Sequence, residues 1–343
     1  MSNIIIDFLK NGKGELIFDI KKMNNLNEKI WIDLNDDKKL IMLAVNTFKN
    51  HTKNSKINNT IIDFFHDENE AINISLKKYF DFKILSDNNI INSDFYNFWE
   101  MYLIFDCINE QNMEYFIYEN NNISILQSLI FFYSKKYSDS KINKNVYNVC
   151  CENKIKKNEK IVIENITKKN MFDNNKKYDF IIINDDENNK IEFEEKIKFV
   201  SNKMKIKGNC IIKIFNPYNL FSYYLINLIE KQFKKMYIYK PIFKNFLNDE
   251  FYLICLDYDG EKKLNFENKY VNVDYKQISY FLIKINTEQY NLLNMMNLFY
   301  ENKTKNNFDL LNFKNNILNY WTSNFLPLNK NDFEYQTNKF TML

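Results

Sequence analysis

"MYIYKPIFKNFLNDEFYLICLDY", residues 236–258, is the stretch on which the fold turns. Its two ends, 236–240 and 250–258, are dense in aromatic and branched residues and read as strands. The residues between them are too few for the helical crossover that parallel neighbours require, so the pair should be an antiparallel hairpin. Working back along the chain, "MEYFIY" (113–118), "NVYNVCC" (145–151), "KIVIEN" (160–165), "YDFIIIN" (178–184) and "GNCIIKIF" (208–215) also read as strands. The segments "SILQSLIFFYSKKY" (124–137, opened by a serine cap), "FEEKIKFVSNKMKIK" (193–207) and "NLFSYYLINLIEKQFKK" (219–235) have the spacing of amphipathic helices. Strands alternating with helices indicate an α/β domain with a mostly parallel sheet. The expectation is seven strands over residues 95–260, the last one antiparallel.

Composition narrows the class. The chain has 343 residues, 45% of them hydrophobic and 17% aromatic, enough for a large core. Its 47 basic residues are all lysine, and 44 acidic residues leave a net charge of +3, so bulk charge does not mark a nucleic-acid binder. The wealth of Asn, Lys, Ile, Phe and Tyr reflects an AT-rich genome, such as that of a parasite, an organelle-like element or a large DNA virus. Five cysteines without a CxxC pair, and only two histidines, argue against a zinc site and for a reducing compartment. No apolar run reaches the ~18 residues that span a bilayer, and no signal-peptide core is present. A cytoplasmic protein is expected, without metal or membrane partner.

Residues 1–92 read as an α+β region, with strand-like runs such as "GELIFDI", and residues 93–260 as the α/β domain. Within the latter, "FYNFWEMYLIF" (95–105) is an aromatic helix. Residues 261–343 read as a helical extension that contains "NYWTSNFLPLN" (319–329).

A lysine on a buried strand needs a partner, and Lys213 in "GNCIIKIF" is such a lysine. Functional groups of a doubly wound sheet gather at the carboxyl ends of its strands. Asp185 follows one strand, Lys213 lies near the end of the next, and Glu250 opens the antiparallel strand at that same edge. Solvated strand ends are the plainer reading of each charge alone, but together the three charges can converge on one cleft.

Three segments in order resemble the FtsJ-like ribose 2′-O-methyltransferases, which include viral mRNA cap enzymes. "YDFIIINDD" is similar to the strand that carries that family's aspartate, with Asp185 or its neighbour Asp186 in the role. "KGNCIIKIF" is similar to the strand that carries its second lysine, Lys213. "KPIFKNFLNDEFYLICL" is similar to the segment that carries its glutamate, Glu250, with Asn248 replacing a serine. The resemblance covers residues 145–258, and the tail "NYWTSNFLPLN" resembles the ending of large-DNA-virus members.

The resemblance implies a Rossmann-like sheet, S-adenosylmethionine as cofactor and capped mRNA as substrate. A lysine would help to deprotonate a ribose hydroxyl while flanking charges tune its pKa. Two departures stand against activity. "NSDFYNFWEMYLIF" is similar to the helix of the first lysine, but Asn97 occupies that position. The glycine-rich cofactor turn is replaced by "YENNNISILQSL", which keeps Glu119 and places Asn120 to Asn122 where glycines would let backbone approach the cofactor. Glu152 is the nearest candidate for the ribose-binding acid. Two readings remain: a degenerate, non-catalytic RNA-binding or structural subunit of an RNA-processing complex, which the departures favour, or an active cap methyltransferase.

Overall fold

A computed structural model describes residues 17–19, 92–108, 113–119, 123–137, 145–151, 155, 161–171, 175–185, 190–215, 220–241, 250–260, 319 and 321–325. The elements are β1 (Ile17–Asp19), α1 (Ser93–Phe105), β2 (Glu114–Glu119), α2 (Ser124–Tyr137), β3 (Val146–Cys150), β4 (Val162–Ile166), β5 (Tyr178–Asn184), α3 (Lys190–Lys203), β6 (Met204–Phe215), α4 (Leu220–Glu230), β7 (Phe233–Tyr239) and β8 (Glu250–Tyr258). A single-turn 3₁₀ helix, Lys168–Asn170, follows β4.

The strands form one sheet in the order β1-β7-β8-β6-β5-β2-β3-β4. Neighbours from β4 through β6 are parallel. Strand β8 is antiparallel to both of its neighbours, β6 and β7. This is the expected Rossmann-like methyltransferase sheet, with the last strand inserted beside β6. The expected run "GELIFDI" supplies an eighth strand: Ile17, Phe18 and Asp19 pair antiparallel with Tyr239, Ile238 and Tyr237 at the β7 edge.

Alternation in β2 separates the two faces of the sheet. Tyr115 stacks on Tyr147 at 5.1 Å and meets Phe180, which in turn meets Tyr102 of α1. Phe116 turns to the other face, against Tyr178 and Phe199 of α3. Helices α1 and α2 therefore cover one face of the sheet, and α3 with α4 the other. Helix α1 is capped by Asn92, whose Oδ1 accepts from the N–H groups of Asp94 and Phe95 at 3.0 and 3.4 Å. It ends at Asp106, in left-handed geometry, whose carboxylate pairs with Lys136 of α2.

Two helix-to-strand junctions differ from the sequence reading. The helix expected over 193–207 ends at Lys203, and residues 204–207 already belong to β6. Met204 pairs with Tyr178, but the next pair is Asn209 with Phe180, so extra residues bulge from β6. Gly208 sits in that bulge against the neighbouring strand. A Cβ there would lie 2.8 Å from the Lys205 carbonyl oxygen and 2.9 Å from that of Asp179. Lys205, inside the bulge, bridges Glu114 and Asp179 at 3.1 and 2.9 Å. The helix expected over 219–235 ends at Glu230, because a turn at 231–232 redirects Phe233 into β7.

Candidate functional site

The register assembles a row of side chains across the α1 side of the sheet. Glu119 of β2 lies opposite Asn184 of β5. Lys213 lies one step beyond the Ile183–Ile212 pair, which places it beside Asn184. Lys213 is paired with Tyr252, and Tyr252 with Tyr239. Residues in register share a face, so Glu119, Asn184, Lys213, Tyr252 and Tyr239 form one line.

Helix α1 covers that line. Asn184 Nδ2 donates to Asp94 Oδ2 at 3.3 Å, and Tyr252 Oη donates to Asn184 Oδ1 at 3.5 Å. The ring of Phe98 meets Tyr252 edge-on at 5.5 Å, and Tyr239 Oη donates to Glu100. Asn97, on the same helix, is fully buried.

Lys213 is 4% exposed, and its ammonium lies 3.3 Å from Glu250 Oε1. The lysine and the glutamate expected to converge are thus brought together, and this contact offsets the cost of burying the ammonium. Asp185, also buried, pairs with Lys196 of α3 at 3.2 Å. One residue of alternation explains this placement: Asn184 turns to the α1 side and stands in register beside Lys213, whereas Asp185 turns toward α3. The sequence reading named neither Asn184 nor Lys196. It also passed over Lys240, whose buried ammonium donates to the Glu250 carbonyl at 3.1 Å and lies 5.0 Å from the Phe251 ring centroid. The signal for Lys240 was present as the lysine of "KPIF". Asp186, Asn120, Asn122, Asn248 and Glu152 lie outside the described residues.

Glu119 closes the other end of the row. It is 1% exposed, and its Oε2 accepts from the Ile125 N–H at 3.4 Å in the first turn of α2. Burial holds its carboxyl well above the ordinary range, and the charge of Asp94 pushes the same way. The N–H groups of Ile125 and Leu126 oppose that shift without cancelling it. Among the described residues, Glu119 Oε1 and both polar atoms of Asn97 have no hydrogen-bond partner.

These features do not fit S-adenosylmethionine well. Glu119, the acid that the resemblance assigns to the cofactor, is 1% exposed and bonded to the first turn of α2. The glycines that would bring backbone close to a cofactor are absent from the turn after β2. Among the described residues no cluster of His, Cys, Asp or Glu could hold a metal ion, and no helix is long and apolar enough to cross a membrane.

No family model matches the chain, and no curated protein does. Among solved structures it is similar to an alphavirus P23pro-zbd at 10% identity and TM-score 0.32, over 54% of this chain and 25% of that one. It is also similar to the fibrillarin pre-rRNA processing protein of Methanococcus jannaschii, at 12% identity and TM-score 0.32, over 53% and 84% of the two chains. A third similarity is to human methyltransferase-like protein 13 in complex with SAH, at 11% identity and TM-score 0.31, over 57% and 89%. The chain thus spans a quarter of the first of these proteins and most of the other two. Likenesses this distant carry no argument about chemistry, and the fold assignment rests on the strand order and the antiparallel β8.

Proposed function

We propose that this chain is a methyltransferase-like protein without catalytic activity, serving as an RNA-binding or structural subunit of a cytoplasmic RNA-processing complex. The observation that carries the proposal is the make-up of the row. An amide, Asn184, stands beside Lys213, and a second amide, Asn97, occupies the helix position where the resemblance calls for a lysine. An amide neither carries the charge that tunes a lysine base nor titrates with it. The RNA part of the reading is supported by the three ordered segments that resemble ribose 2′-O-methyltransferases.

Calorimetric titration with S-adenosylmethionine tests the proposal, together with a methyl-transfer assay on capped RNA and a filter-binding assay on the same RNA. The expected result is no methyl transfer and cofactor affinity weaker than about 1 mM, with binding of RNA or of a protein subunit retained. Micromolar cofactor affinity with transfer to the cap ribose would overturn it.

One observation favours the second reading, an active cap 2′-O-methyltransferase that uses S-adenosylmethionine. Lys213 and Glu250 are in contact, and Lys240 adds another ammonium at the same strand ends. On that reading Lys213→Ala abolishes transfer and Glu119→Ala weakens cofactor binding.

A further inference from the structure

The helix that covers the row is itself covered. Residues 319 and 321–325 are helical, with Trp321 and Phe325 buried. Trp321 Nε1 donates to Glu100 Oε2 at 3.0 Å, and Trp99 Nε1 donates to the Phe325 carbonyl at 2.6 Å. The Trp321 ring meets Tyr96 edge-on at 5.5 Å. The other oxygen of Glu100 accepts from Tyr239 Oη at the end of β7. One buried carboxylate therefore joins α1, the sheet and the C-terminal segment.

The opposite flank of α1 has its own anchor, where Ser128 Oγ of α2 donates to the Phe95 carbonyl at 2.9 Å. On the flank formed by Tyr96, Trp99 and Glu100, the C-terminal segment adds to the ring contacts that Trp99 makes with Phe131 and Phe132 of α2, each at 5.4 Å. A buried carboxylate that loses the Trp321 donor bears a desolvation cost, so docking of the segment favours seating of α1 on Tyr239. By linkage, seating of α1 favours docking to the same degree.

We propose that residues 319 and 321–325 are a clasp that holds α1 down over the row, and that release of the clasp opens Lys213 and Asn97 to solvent and to ligands. The clasp governs access whether or not a cofactor binds, so this inference stands or falls apart from the proposed function. Its chemistry is that of two indole N–H donors and one shared carboxylate.

The test uses the full chain with Trp321→Phe, which keeps an aromatic ring and removes the donor, and with Trp321→Ala. Ile163→Ala, in β4 at the far edge of the sheet, is the control for general destabilisation. Two quantities are read by mass spectrometry: hydrogen exchange over residues 95–104, and acylation of Lys213 by an N-hydroxysuccinimide acetate. Trp321→Ala should speed α1 exchange about tenfold relative to β2 and β5 and raise Lys213 labelling with it. Trp321→Phe should give an intermediate effect, and Ile163→Ala should leave the ratio of α1 to strand exchange unchanged. Should Trp321→Ala fail to fold, Trp321→Phe decides alone. The clasp is overturned if α1 exchange stays at the wild-type rate, if it rises only in step with all strands, or if α1 loosens while Lys213 stays unlabelled.

Discussion

Lys213 and Glu119 are buried ionisable groups at the ends of β6 and β2, with β5 between them, and their surroundings handle charge in opposite ways. Lys213 meets a carboxylate, so Lys213→Ala leaves Glu250 without that cation and should cost about 3 kcal/mol of stability. Chemical denaturation of Lys213→Ala, Glu250→Ala and the double variant checks this. The double variant should lose less than the sum of the singles, and simple additivity would refute the pairing. Glu119 sits in a site that disfavours its charged form, so its folded pKa lies above the unfolded value of about 4.3. The folded state then binds more protons than the unfolded state between those two values. Stability contributed by the neutral carboxyl is accordingly full below about pH 4 and is lost as pH rises through the window. Glu119→Gln keeps an acceptor for the Ile125 N–H and cannot ionise. Its melting temperature should exceed that of the wild type at pH 7, with the gap closing toward pH 4; a gap independent of pH would contradict the assignment. The convergence of Lys213 and Glu250 was legible in the sequence, because a lone charge on a buried strand demands a partner. The choice between Asn184 and Asp185 was not, since it turns on which face each residue takes, and that is set by register with β6.

Long apolar runs bounded by polar residues announced the elements, and β5, β8 and α2 carry the limits read from them. The junctions α3–β6 and α4–β7 were harder to read. Both pass from helix to strand through lysine-rich residues whose spacing suits either period, and only packing against the sheet decides between them. Gly208 is the local reason that β6 can begin so early, because the bulge brings its backbone against the Asp179 carbonyl. Gly208→Ala places a methyl group where backbone oxygens already lie, and neither strand can withdraw without losing its pairing. The substitution should cost about 2 kcal/mol, measured by urea denaturation. Full stability would mean that the bulge is loose enough to yield.

Across the whole molecule, the cysteines differ in burial, and Cys210 and Cys255 face each other across β6 and β8. Cys107, Cys150, Cys210 and Cys255 are buried, while Cys151 is only partly so. Burial pushes the Cys150 thiol up to about 11, and burial together with Cys255 raises that of Cys210. A thiol-specific reagent at pH 8 should therefore modify Cys151 first and reach the other four only as the domain unfolds. A second thiol labelled as fast in the native protein would reveal an opening that the packing does not suggest. The order of the strands in the sheet also carries a consequence for how the protein is made. Among the described strands β8 comes last, yet it lies between β6 and β7, and β1, which comes first, pairs with β7. A ribosome that has delivered everything through Tyr239 has supplied two flanking strands with an unfilled slot between them, and β1 has waited for most of synthesis to find its neighbour. The nascent chain must hold the long, apolar flank of β6 unpaired until Tyr258 clears the exit tunnel. That interval is when it is most exposed to aggregation and most dependent on chaperones.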